Sequence, residues 1–177
     1  MKLLLPVFYI LPLIWVGLPA SSTPVASNSR TADEDNIRET LFRKVFDLVT
    51  GAPDKKAASN DFGSHFKVYF LAISRDRDPT DAFMKRFAGH QPPVKKVSEH
   101  YVDMTAGVSA VYDVKDQVTH EVGIVFTVGN IKWLSRNRVQ ARAGFHSGRR
   151  SAMDSLYTLV RKNKGWMVTK ISDTMNS

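Results

Sequence analysis

The chain has 177 residues and no cysteine, and its 25 lysines and arginines outnumber 17 acidic residues for a formal charge of +8. The missing thiols exclude a disulfide-stapled scaffold, a cysteine nucleophile and a lipid-modified bacterial N-terminus. The basic balance favours anionic neighbours: membrane surfaces, polyanions or acidic ligands.

Between Lys2 and Arg30 there is no charge at all. Residues Leu3 to Leu18 (LLLPVFYILPLIWVGL) form an apolar core, and Pro19, Ala20, Ser21, Ser22 and Thr23 follow as small residues. A short positive start, an apolar core and a small-residue stretch are the order of a secretory signal peptide, and residues 1–27 read as one. Cleavage after Ser27 places Val25 at −3; cleavage after Ser22 places Ala20 there. A spanning helix needs roughly 20 apolar residues. This core is shorter and contains Pro6 and Pro12, so an uncleaved membrane anchor is the secondary reading. Export, no cysteine and no Asn-x-Ser/Thr acceptor together point to a bacterial periplasm or exterior. Removing residues 1–27 removes one basic residue, Lys2, so the mature chain stays basic. Nucleic acid is a poor partner for an exported protein.

Residues 28–32 read as a disordered lead-in, and 33–177 as a single domain, since about 150 residues can bury a self-sufficient core. Thr31 and Glu34 have the spacing of a capping box. Ile37, Leu41, Val45 and Leu48 recur at helical spacing, widened by Phe42, Phe46 and Val49, and Gly51 with Pro53 stops the run. The first helix is therefore expected over 33–50. Residues 51–65 are turn-rich, with a short helical turn at Lys55–Ser59. Phe66 to Ile73 (FKVYFLAI) reads as a strand. Asp78-Pro79 reads as an N-cap and first helical residue, opening a helix with Phe83, Met84 and Phe87 that ends at Gly89. Gln91-Pro92-Pro93 breaks the chain.

From Val94 onward the period changes to two. Apolar residues alternate at Val108–Val114, Val122–Val128 and Val139–Phe145, with Ile131–Leu134, Leu156–Arg161 and Trp166–Ile171 as further strands joined by hairpin-length turns. Helices first and an antiparallel meander after them is the pattern of an α+β domain.

Three stretches resemble small exported bacterial proteins of the NTF2-like (cystatin-like cone) superfamily: DPTDAFMKRFAGHQPPVKKV (78–97), GNIKWLSRNRVQARAG (129–144) and YTLVRKNKGWMVTKISDTMNS (157–177). In those relatives a pair of aromatics follows the glycine of the penultimate hairpin strand. Here the pair is Phe145-His146, followed by Gly148-Arg149-Arg150. The resemblance implies N-terminal helices packed on a curved antiparallel sheet whose inner face lines a pocket. The fold hosts dehydratases, isomerases and plain binding proteins, so it does not by itself fix a function.

On 120–128 the even residues His120, Val122, Ile124, Phe126 and Val128 share one face by period two, so His120 opens an apolar stripe. An imidazole there suits a general base. Tyr112 and Tyr157 are the hydroxyl candidates, and Tyr112, His120, Phe126 and Tyr157 are the expected pocket residues. His100, Asp103, His120, Glu121 and His146 lack the tight spacings of a metal site, so no metal and no cofactor is expected. Arg136, Arg138, Arg142, Arg149, Arg150, Arg161, Lys162 and Lys164 crowd the last two hairpins. Arg142 with the Arg149-Arg150 turn is read as a basic patch for carboxylates, phosphates or an envelope polyanion.

The leading expectation is a non-catalytic ligand- or partner-binding domain taking a small acidic or apolar ligand. The alternatives are a lyase or isomerase of the dehydratase type, with His120 as base and Tyr112 or Tyr157 as acid, and a homodimeric interaction module using the outer sheet face.

Overall fold

A computed structural model describes residues 25–51, 62–104, 114–148, 151–163 and 165–176. The leader up to residue 24, the Lys55–Ser59 turn, the 108–112 strand with Tyr112, and Arg149-Arg150 lie outside the described residues.

Helix α1 runs Val25–Thr50. Its stripe of Ile37, Leu41, Phe42, Val45, Phe46 and Val49 is buried, whereas Leu48 faces out at 40% exposure. The polar side carries ion pairs one turn apart, Arg38 to Glu34 at 3.1 Å and Arg43 to Glu39 at 2.9 Å. Gly51 ends the helix in the left-handed conformation, φ 74°. The lead-in expected at 28–32 is helical instead, and the helix begins eight residues before the expected start at 33. No proline or glycine interrupts 25–50, and Glu34, expected to cap, takes Arg30 and Arg38 as partners one turn on either side. Among the described residues no helix is long and apolar enough to cross a membrane.

The strands are β1 (Val68–Ile73), β2 (Val94–Lys96), β3 (His100–Val102), β4 (Val114–Asp116), β5 (Gly123–Val128), β6 (Lys132–Ser135), β7 (Arg138–Gly148), β8 (Ser151–Lys162) and β9 (Gly165–Asn176). Seven of them form one sheet in the order β2-β1-β5-β7-β8-β9, with β6 paired to the start of β7; β3 and β4 form a separate antiparallel pair. The sheet is mostly antiparallel but mixed, because β1 runs parallel to both β2 and β5. That corrects the expected all-antiparallel meander. The parallel pairing also explains β1 itself. All six of its residues are buried, since one face meets α1 and the other meets the β2–β4 segment, and a strand covered on both faces reads as a continuous apolar run.

The class is α+β, with one long helix packed on the sheet. The second expected helix is a single turn, α2 (Asp81–Met84), continued by a tighter turn at Lys85–Phe87. Its N-cap is Thr80, whose hydroxyl accepts from Phe83 N at 3.2 Å. Asp78, the expected cap, instead accepts from Ser98 N at 2.9 Å and Ser98 Oγ at 2.7 Å. α2 and the turn after it contribute Phe83 and Phe87 to the same core as Phe42, Phe46, Tyr69 and Phe126. Val68, Phe70, Ala72, Val97, Val114 and Val125 form a second, smaller cluster on the opposite face. The helix-bearing face is thus filled along the sheet. Among the described residues the far face is covered over β1 and β5, and β7 and β8 are left open there.

Candidate ligand-binding site

Phe126 and Tyr157 are both 0% exposed and belong to the core under α1. Phe126 is wedged among Phe46, Tyr69 and Phe145, with ring centroids 4.6, 4.9 and 6.3 Å away. Neither residue lines an opening. Burial holds the Tyr157 phenol above its ordinary value, with the Ser155 hydroxyl acting against the shift and the Asp154 charge adding to it.

His120 is not on the stripe of Ile124, Phe126 and Val128. It is exposed, at the end of a turn, with a left-handed backbone at φ 59°. The cause is Asp116, whose Oδ1 accepts from Val118 N at 3.0 Å and Thr119 N at 2.8 Å, folding 116–119 back so that His120 N donates to Asp116 O at 3.0 Å. A residue in that conformation breaks the alternation that period two assumes. The imidazole Nδ1 lies 3.2 Å from the Tyr101 hydroxyl. Among the described residues no three His, Asp or Glu side chains gather as a metal site.

Arg142 is exposed on the open face, while its neighbours Val139, Ala141 and Ala143 are buried against α1's side. Its guanidinium donates to Asp154 Oδ2 at 3.0 Å. Around this pair lies a concavity of about 900 Å3, lined also by Ser74, Arg75, Thr127, Asn130 and His146. Ser74 closes β1 with φ 55°; its N donates to Val128 O at 2.9 Å and its Oγ donates to Asn130 Oδ1 at 3.0 Å. The Gly129 N–H donates to Arg142 O at 2.8 Å, which brings the β5–β6 link onto β7. Arg75 is exposed and forms no ion pair among the described residues. The site therefore offers two guanidiniums, two hydroxyls, an amide and an imidazole around one carboxylate, a donor-rich surface suited to an anion.

Ser74, Arg75, Thr127 and Asn130 were not among the sequence candidates. They come from the ends of β1 and β5, which only the parallel β1–β5 pairing sets side by side. The one local signal was the abrupt change from VYFLAI to Ser74-Arg75-Asp76-Arg77.

No protein-family model matches the chain, and no curated protein or solved structure is significantly similar to it.

Proposed function

We propose that residues 28–177 form an exported, non-catalytic binding domain of the NTF2-like cone class, which holds an anionic envelope polymer on the open face of the sheet. The observation that carries this reading is the open concavity around Arg142. It holds Arg75, which forms no ion pair among the described residues, and in the sequence Arg149 and Arg150 stand between its β7 and β8 walls. The cone is supported by one long helix followed by three long strands, β7, β8 and β9, whose ladder carries register shifts at His146/Gly148, Asp154/Leu156 and Thr158/Leu159; such bulges bend and twist a sheet. Export rests on the leader at 1–27.

Binding is favoured over a lyase or isomerase because His120 sits exposed beside a phenol, and because Phe126 and Tyr157 occupy the space an inner pocket would need. A homodimer through the open face is the second reading, favoured by Leu156 and Val160, which remain only partly covered there. Light scattering that shows a monomer at high concentration removes it.

The test is retention on immobilised dextran sulfate at low salt. Retention that falls with salt, and falls further in Arg75→Gln/Arg142→Gln, supports the polyanion reading, because each lost phosphate- or sulfate-type contact lowers the salt slope. No retention, or retention equal in the double variant, overturns it. Fractionation with N-terminal sequencing tests export: a mature chain starting at Asn28 outside the cytoplasm supports it, and an intact cytoplasmic chain refutes it.

A further inference from the structure

The basic residues of the last two hairpins do not all share the open face. Arg136 sits at the β6–β7 turn and Arg161 near the end of β8, and both border a cleft of about 440 Å3 against the first turns of α1. Ser29, Arg30, Asp33, Trp133 and Ser135 complete its walls, and it shares no lining residue with the concavity around Arg142.

Trp133 lines the cleft, and Trp166 packs against it from behind. Trp133 and Trp166 meet edge to face, with centroids 5.5 Å apart and planes at 80°. Arg30 lies over the Trp133 ring at 5.4 Å and Arg161 over the Trp166 ring at 5.0 Å. Arg161 also pairs with Asp33, so its guanidinium is held between that carboxylate and the Trp166 ring, while its backbone N–H donates to Asn137 O at 2.9 Å. The charge is not balanced. Asp33 answers Arg161, Glu34 answers Arg30 only at 3.7 Å, and Arg136 has no ion pair among the described residues.

We propose that this cleft binds a small oxyanion, a carboxylate or a phosphate group, between Arg136, Arg30 and the Trp133 indole. Such a ligand supplies what the cleft lacks: negative charge for Arg136 and for Arg30, whose carboxylate partner Glu34 stands 3.7 Å away. Planar guanidiniums match both groups with paired donors. The ligand is a small molecule, because the opening is about half the volume of the open-face concavity and is bounded on one side by α1.

The full chain has three tryptophans, Trp15, Trp133 and Trp166. Its 15N-labelled indole resonances therefore form a short set, and Trp133→Phe identifies the one at issue. Inorganic phosphate and citrate are titrated separately at low ionic strength. The expected result is a saturable shift of the Trp133 resonance with at least one of them, weakened tenfold or more in Arg136→Ala; phosphate alone points to a phosphorylated ligand and citrate alone to a carboxylic acid. Arg136 is exposed and unpaired, so its removal leaves the remaining spectrum in place, whereas Arg161 also braces Trp166 and makes a poorer probe. No saturable shift up to about 10 mM of either anion, beyond the millimolar affinity of the weakest specific ligands, overturns the proposal. So does an unchanged affinity in Arg136→Ala. The Arg75→Gln/Arg142→Gln variant separates the two sites: loss of dextran sulfate retention with intact phosphate or citrate binding assigns the polymer to the open face and the small anion to the cleft. Failure of retention alone leaves the cleft standing.

Discussion

The carboxylate of Asp116 is closed off from solvent against the Lys95 ammonium, 2.7 Å away, and this one pair fastens the β4 turn to edge strand β2. Burial alone would raise the Asp116 pKa, but Lys95, the Thr119 and Val118 N–H groups and the Thr119 hydroxyl outweigh it and bring the value from 3.8 to about 2. The folded state therefore prefers the ionised form. Its stabilisation, at most about 2 kcal/mol, is fully present above pH 4 and is lost as pH falls from about 4 through about 2. Urea midpoints measured across that range are expected to drop in the wild type and to drop less in Asp116→Asn, which keeps the acceptor for the turn N–H groups but not the charge. Parallel pH profiles for the two proteins would show that Asp116 is not the group responsible.

Gly144 is where β7 comes too close to β8 for any side chain. A Cβ there would stand 2.0 Å from Met153 O and 2.8 Å from Asp154 Cα, both backbone atoms that cannot step aside. Gly144→Ala is expected to cost about 2–4 kcal/mol, whereas Gly165→Ala, with nothing within 4 Å of its Cβ, should stay within about 0.5 kcal/mol. Thermal denaturation of the pair reads the difference. Equal melting temperatures would mean that the β7–β8 ladder can open at Gly144 without cost.

The α1 stripe and the long hairpins were legible because they are local: a 3.6-residue period, a 2-residue period, and Asn-Lys-Gly at the last turn. What stayed hidden depends on partners distant in sequence. Nothing in VYFLAI says that β1 pairs in parallel with residues 94–96 on one side and 123–128 on the other, although its unbroken apolarity is the mark of a strand covered on both faces. The basic residues of the hairpins were visible as a cluster. Their division into Arg142 on the open face and Arg136 with Arg161 in the indole cleft was not, because α1 reaches the hairpin tips through residues 30 and 33. His120 misled because period two was carried through a turn that the side chain of Asp116 folds back.

The start of α2 separates two polar residues of the same short stretch by role. Thr80→Ala removes the acceptor for Phe83 N, and an N-cap loss costs about 1 kcal/mol. Asp78→Ala leaves the helix turn alone but frees Ser98, whose N–H and hydroxyl both donate to Asp78, and so loosens the short turn at Val97–Glu99. Hydrogen exchange is expected to speed up at Phe83 in the first variant and at Ser98 in the second. Faster exchange at Phe83 in Asp78→Ala would return the capping role to Asp78.

His120 carries opposite predictions under its two readings. Its left-handed backbone, φ 59°, suits glycine better than any residue with a side chain, and among the described residues its imidazole meets the Tyr101 hydroxyl at 3.2 Å. His120→Gly should therefore leave stability unchanged or raise it by up to about 1 kcal/mol, and His120→Val should lower it, because a β-branched side chain is worst placed at positive φ. Dextran sulfate retention should be the same in both variants, since His120 lies away from Arg75 and Arg142. A general base behaves otherwise: a dehydratase-type activity in the wild type that disappears in His120→Gly, with the fold intact, would replace the binding reading with the lyase one. A marked loss of stability in His120→Gly would show instead that the imidazole–phenol contact, rather than Asp116, holds the turn.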